Sequence, residues 1–191
     1  MAHPRCALRA LRRSGPVLRP SRSTGIRRVG AGRNANARRY MTLNVTGIEG
    51  VRSLAGMALE PSPWLEISQE RVDAFAAVTE DRQWIHVDPE RAGAGPFGTT
   101  VAHGFLTVSL IPHLWHLTAR VEGMGMAVNY GLDRVRFPAP LAVPSRIRGC
   151  FRIERLIEAK GSVQISLHVT IERESFAKPV CAADMLVRYY A

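Results

Sequence analysis

The chain has 191 residues and a formal net charge of +10, but that charge is confined to its start. Residues 1–40 hold eleven arginines and no acidic residue, while the remainder carries a net −1. A nucleic-acid binder carries its basic footprint on the folded domain, so composition gives that class no support; nor does any apolar run approach the roughly eighteen residues of a membrane helix.

Residues 1–40 admit several readings. Arg5, Arg9 and Arg12 share one helical face with Ala7, Leu8 and Leu11 opposite, the pattern of a mitochondrial presequence bound for the matrix. Gly15, Pro16, Pro20, Gly25, Gly30 and Gly32 break any longer helix, and the composition equally fits a disordered extension upstream of a start at Met41, on a cytoplasmic protein. An arginine arm that binds phosphates without sequence preference is a third reading. In every case the segment has too little apolar content to fold alone. Residues 41–191 have the size of a single domain, which buries about 68–70% of its unfolded-chain surface. Cys6, Cys150 and Cys181 are odd in number, share no metal-ligand spacing and read as free thiols.

In chain order, residues 64–69 read as a short strand leading into an amphipathic helix over 69–79, with Val72, Phe75, Ala76 and Thr79 on one stripe. Asp81 and His86 follow. Residues five apart on one helix diverge by about 140°, so this pair can meet only if the backbone turns between them. Asp88, Pro89 and Glu90 then resemble a cap, a first-turn proline and a first-turn acid opening a new short helix. An Asp and a His held in an elbow between two helices can grip one water molecule, which is an acid–base site in outline. The bland alternative is a helix end with Asp81 as a cap and His86 solvated.

Residues 93–100 form a glycine-rich loop. Gly93, Gly95 and Gly98 match G-x-G-x-x-G, but no buried strand precedes them and Pro96 interrupts them, so a dinucleotide site is rejected. Residues 102–118 are apolar on nearly all sides (Phe105, Leu106, Val108, Leu110, Ile111, Leu114 and Trp115), which predicts a fully buried helix, kinked at Pro112. Gly104 lies near its start, where free N–H groups and the helix dipole could serve a developing oxyanion; close packing against a strand is the plainer reading. His103 reads as a fixed structural hydrogen bond. His113 and His116 lack the spacing and third ligand of a zinc site, and no metal is expected. Residues 126–137, 145–157, 162–172 and 180–190 alternate polarity and are rich in β-branched and aromatic residues, as strands are. One buried helix followed by such a run argues an α+β domain with an antiparallel sheet packed around the helix.

Phe75, Thr79, Asp81, Ile85, His86 and Ala92, together with the Ala102-His103-Gly104 motif, resemble the signature of the MaoC-like, R-specific enoyl-CoA hydratases. The resemblance spans residues 50–191. It departs at Glu80, Gln83 and Trp84, where that family has Gly, Asn and Pro. It implies a hot-dog fold, an antiparallel sheet wrapped around a long buried central helix. It implies a hydratase/dehydratase converting trans-2-enoyl-CoA to (R)-3-hydroxyacyl-CoA, with Asp81 and His86 catalytic and the Gly104 N–H as oxyanion donor. Arg136 and Arg146 are expected to contact substrate phosphates. No cofactor is expected; the partners implied are an enoyl thioester of CoA or acyl carrier protein and a second copy of the chain. A hot-dog thioesterase and a non-catalytic acyl-CoA binding module are the alternatives.

Overall fold

The computed structural model describes residues 27–28 and 42–191. Its elements are β1 (Arg27–Arg28), β2 (Leu43–Thr46), α1 (Gly47–Ser53), β3 (Leu65–Ile67), α2 (Gln69–Thr79), α3 (Trp84–Val87), α4 (Pro89–Gly93), α5 (Gly104–Ser109), α6 (Ile111–Thr118), β4 (Ala119–Glu122), β5 (Met126–Arg136), β6 (Ser145–Ala159), β7 (Ser162–Arg173) and β8 (Cys181–Tyr190). The long strands form an antiparallel five-stranded sheet in the order β3-β6-β7-β8-β5.

The sheet alternates as period-2 strands must. Val163, Ile165, Leu167, Val169 and Ile171 of β7 are fully buried on the inner face, in one core with Leu114 and Trp115 of α6. Trp115 packs edge-on to Phe151, with ring centroids 5.4 Å apart, and donates from Nε1 to the Tyr189 hydroxyl at 2.9 Å. Gly149 permits the close approach of helix and sheet, since a Cβ there would meet the Phe151 ring at 2.5 Å and Leu114 at 3.1 Å. Burying a side chain of this size contributes roughly 1.5–3 kcal/mol.

The interruption expected at Pro112 is present as a break: the central helix is two segments, α5 and α6, meeting at Leu110 just before Pro112, whose missing N–H suits the first turn of α6. Three sequence expectations need correction. The central helix is not buried on all sides: Phe105 is 74% exposed, and its ring meets Phe137 edge-on at 6.4 Å. Thr79, placed on the apolar stripe of α2, is exposed, because the helix ends there and the chain turns away. The thiol reading holds for Cys181, a buried free cysteine, but not for Cys150, which is disulfide-bonded.

A second sheet went unanticipated. β2 pairs in parallel with β4 and antiparallel with β1, so Arg27 and Arg28 lie opposite Asn44 and Leu43. The remaining readings of residues 1–40, including Cys6, fall outside the described residues. Among the described residues no helix is long and apolar enough to cross a membrane.

Candidate active site

The elbow is built by capping. Ser68 accepts from the Arg71 N–H at 3.3 Å to start α2, and the helix stops at Glu80, which takes a left-handed conformation (φ 62°). That conformation favours glycine, so Glu80 stands where the chain turns against its own preference. After the turn, α3 carries His86, and Asp88 accepts from the Arg91 N–H at 3.0 Å to open α4 at Pro89, as its sequence predicts. Trp84 closes the outer side of the elbow: the Arg91 guanidinium lies 4.6 Å from its ring centroid, and Gly95 packs against the indole.

His86 is buried, and its Nδ1–H donates to the Val101 carbonyl at 2.6 Å. A carbonyl only accepts, so Nδ1 carries the proton and Nε2 keeps its lone pair. The segment supplying that carbonyl is itself tied down. Val101 N–H donates to Ile85 O at 2.9 Å, and Ala102 N–H to Leu141 O at 2.8 Å. Gln69 Nε2–H donates to the His86 carbonyl at 2.8 Å while its Oε1 accepts from the Thr100 hydroxyl at 2.5 Å. Burial pushes the His86 pKa below its ordinary value; His103 adds to the depression, while the Val101 hydrogen bond and Asp81 oppose it. His86 is therefore a neutral imidazole near neutral pH, with a free acceptor nitrogen.

Asp81 is exposed and lies across from it. His103, at the head of α5, donates from Nε2–H to the Asp81 backbone carbonyl at 2.8 Å, and its Nε2 is 3.9 Å from the Asp81 carboxylate. Its ring stacks on His86, centroids 3.7 Å apart and planes inclined by 25°. One ligand-type atom from each of Asp81, His86 and His103 lies within 4.8 Å of the others. The arrangement is a poor metal cradle, because stacked rings aim their in-plane lone pairs nearly parallel rather than at one point, and His103 Nε2 carries a proton committed to Asp81.

Gly104 opens α5 beside this cluster. A Cβ there would lie 2.8 Å from the Phe137 ring, so its lack of a side chain is a steric requirement as well as an opening to the first-turn amides. Ala102, Gly104, Thr107, Phe137, Leu141 and Val180 are among the residues lining a cavity of about 120 Å³ next to it. Arg136 ends β5, one residue before the cavity-lining Phe137, and is exposed, its guanidinium donating to the Val135 carbonyl. Arg146 is not brought there. Strand alternation sends it to the outer face of the sheet, opposite the buried Ile147, where Glu174 holds it at 2.9 Å and Trp64 lies beneath it. Gln69, Thr100 and the Val101 carbonyl went unmarked by sequence reasoning, since a neutral amide, a hydroxyl and a backbone oxygen carry no chemical signature in a sequence.

The MaoC like domain family matches residues 51–172. 3-Hydroxyacyl-thioester dehydratase Z of Mycobacterium tuberculosis (strain ATCC 25618 / H37Rv) is 48% identical over 145 residues, spanning 75% of this chain and 96% of that protein. Nodulation protein N of Rhizobium leguminosarum bv. viciae is 40% identical over 139 residues, spanning 71% and 86%. Among solved structures, the (R)-hydratase from A. caviae involved in PHA biosynthesis aligns with a TM-score of 0.53 at 21% identity, covering 69% of this chain and 95% of that one, which establishes a shared fold. With a family match across most of the chain and close relatives covered nearly end to end, the chain belongs to the MaoC-like dehydratase family, as a hydratase/dehydratase of hot-dog fold.

Proposed function

We propose that the protein catalyses the reversible hydration of trans-2-enoyl thioesters to (R)-3-hydroxyacyl thioesters at Asp81 and His86. The observation that carries this reading is the fixed tautomer of His86, which keeps Nε2 unprotonated on a ring that lies within 4.8 Å of the Asp81 carboxylate. The substrate class follows the relatives, among them a protein named 3-hydroxybutyryl-CoA dehydratase in Methylorubrum extorquens, 30% identical over 109 residues and spanning 57% of this chain and 67% of that one.

In the hydration direction a water molecule donates one hydrogen bond to Asp81 and the other to His86 Nε2. As the water oxygen bonds to Cβ, His86 takes its proton, and the electrons of the double bond move to the thioester oxygen as an enolate. The Gly104 N–H, a first-turn amide without an intrahelical acceptor, faces that oxygen. The imidazolium then returns the proton to Cα, the carbonyl reforms, and one water has been added with charge unchanged. Dehydration is the reverse. A positioned acid–base group contributes typically ~10²–10⁴-fold, so loss of His86 should abolish most activity. No cofactor takes part in these steps. Arg136 is our phosphate-contacting candidate; Arg146 is engaged by Glu174 and faces elsewhere.

The assembly we propose is a homodimer. β5 is an edge strand of 11 residues that leaves Met126, Tyr130 and Leu132 exposed, and Phe105 is open nearby. A long apolar edge left bare invites pairing with another chain, and a second β5 would continue the sheet and cover it.

The test is incubation of the purified protein with crotonyl-CoA, following enoyl absorbance, thiol release and product chirality. Loss of enoyl absorbance with a single R product supports the reading. Release of free thiol without hydration would favour a thioesterase, and inertness with retained acyl-CoA binding would favour a binding module.

A further inference from the structure

We propose that His103 is a positioning residue of this site: its Nε2–H anchors the backbone of Asp81, and its ring, stacked on His86, holds that imidazole where it meets the carboxylate. The inference rests on reading Asp81 and His86 as the reacting pair and extends it to a third group that links them.

Asp81 follows α2 on an exposed turn, and His86 lies on the separate short helix α3. His103 comes from a third element, at the head of α5, and it touches both. It donates to the Asp81 carbonyl at 2.8 Å and stacks on His86 at 3.7 Å, while Phe75 of α2 packs behind it at 5.1 Å. At 2% exposure it has no freedom to choose other partners.

A packing role alone does not account for an imidazole here. His103 Nδ1 is buried without a hydrogen-bond partner, a cost that a phenyl ring of the same shape would not carry. What the imidazole adds is one N–H at its tip, and that N–H is bonded to Asp81. The two stacked rings therefore hold opposite tautomers: His86 is protonated on Nδ1 by its bond to Val101, and His103 on Nε2 by its bond to Asp81. Stacking also couples them electrically. The charged or titratable groups acting on His86 are Asp81 and His103, while Gln69 and Thr100, which brace its backbone, are neutral. A proton on His103 would oppose the proton that His86 must accept, and lowering is the direction in which His103 acts on the His86 pKa.

The test uses the full-length protein in two arms. In the first, ¹⁵N-histidine NMR of wild type, assigned with His86→Ala and His103→Phe, should show Nδ1–H for His86 and Nε2–H for His103 at neutral pH. The His86 titration midpoint should rise in His103→Phe and in His103→Gln, because each removes the neighbouring imidazole. In the second, kinetics with crotonyl-CoA, His103→Phe keeps a ring but loses the donor, and kcat should fall about a hundredfold, the scale of an ångström-sized misplacement, with KM nearly unchanged. His103→Gln restores an N–H and should recover about a tenth or more of wild-type kcat. If the Phe variant fails to fold, the wild-type tautomers and the Gln variant decide. Identical tautomers in the two rings, an unmoved His86 midpoint, or wild-type kcat in His103→Phe would overturn the proposal. Failure of the wild-type protein to hydrate crotonyl-CoA would instead overturn the reading of the reaction, leaving the NMR arm to judge His103.

Discussion

His86 and Val101 are joined by a 2.6 Å bond from imidazole Nδ1–H to the backbone carbonyl, and this bond decides which nitrogen of His86 keeps its lone pair. The carbonyl is presented by a segment tied to α3 through Val101 N–H and Ile85 O, and to α2 through Gln69 and Thr100. The site is thus a closed circuit in which α2, α3 and the approach to α5 fix one another, so that a short exposed turn can hold a reactive pair in register.

The depressed pKa of His86 predicts a pH dependence. Its folded value lies below the ordinary 6.5, so the unfolded chain takes up the proton first as pH falls. The stability associated with this group is fully present above 6.5 and is lost as pH falls from 6.5 toward the folded value. Thermal melts should show Tm declining below that pH, and His86→Gln should flatten the decline. The acid limb of kcat/KM should likewise lie below 6.5, because the base is then lost only at lower pH.

Glu80 should be improvable. A non-glycine residue in the left-handed region costs roughly 1–2 kcal/mol, and Glu80 adopts φ 62° as the cap of α2. Glu80→Gly should raise Tm, with a gain of about 1 kcal/mol in urea unfolding, and leave kcat close to wild type, since the backbone path of the elbow is unchanged. A drop in stability would show that the Glu80 side chain, rather than its backbone, matters at this turn.

Much of the fold was legible in the sequence because its signals are local. The apolar period marks α2, Asp88 and Pro89 mark α4, and alternation marks β5 to β8 to within a few residues. The β2–β4 pairing was not legible: both strands have four residues and pair in parallel across more than seventy residues of chain, so neither carries a periodic signal of its own. Phe105 looked like core because apolar character does not distinguish a residue facing a sheet from one facing a rim. At the site, Asp81 and His86 stood out by residue type and spacing. The stacking of His103 and the clamp by Gln69 depend on three elements meeting, which no single stretch of sequence encodes.

Gly104 and Phe137 form a testable contact. Gly104→Ala places a methyl group within 2.8 Å of the Phe137 ring. Phe137 is partly exposed and its ring can give way, so the stability cost should stay near 1–3 kcal/mol, as for overpacking generally. Turnover should suffer more, because the ring is displaced into the cavity beside the α5 amides. Gly104→Ala with Phe137→Ala should regain the stability seen in Phe137→Ala alone, measured by urea unfolding. A double variant no more stable than Gly104→Ala would show that the clash lies elsewhere.

Activity should depend on assembly. Leu132→Arg puts a charge on the exposed β5 edge without touching the core, and should shift sedimentation from dimer to monomer. If the substrate channel is completed by the second copy, the monomeric variant should lose hydration although Asp81 and His86 are unchanged. A fully active monomer would remove the dimer from the account.

The central claim is that Asp81 and His86 act as a unit on one water, and its most direct measurement is kcat for crotonyl-CoA hydration in Asp81→Asn, His86→Ala and the double variant. Groups that act together fail together, so each single variant should lose more than about tenfold and the double should be little worse than the weaker single. A single variant retaining more than about a tenth of wild-type kcat, or losses that multiply in the double, would contradict the account.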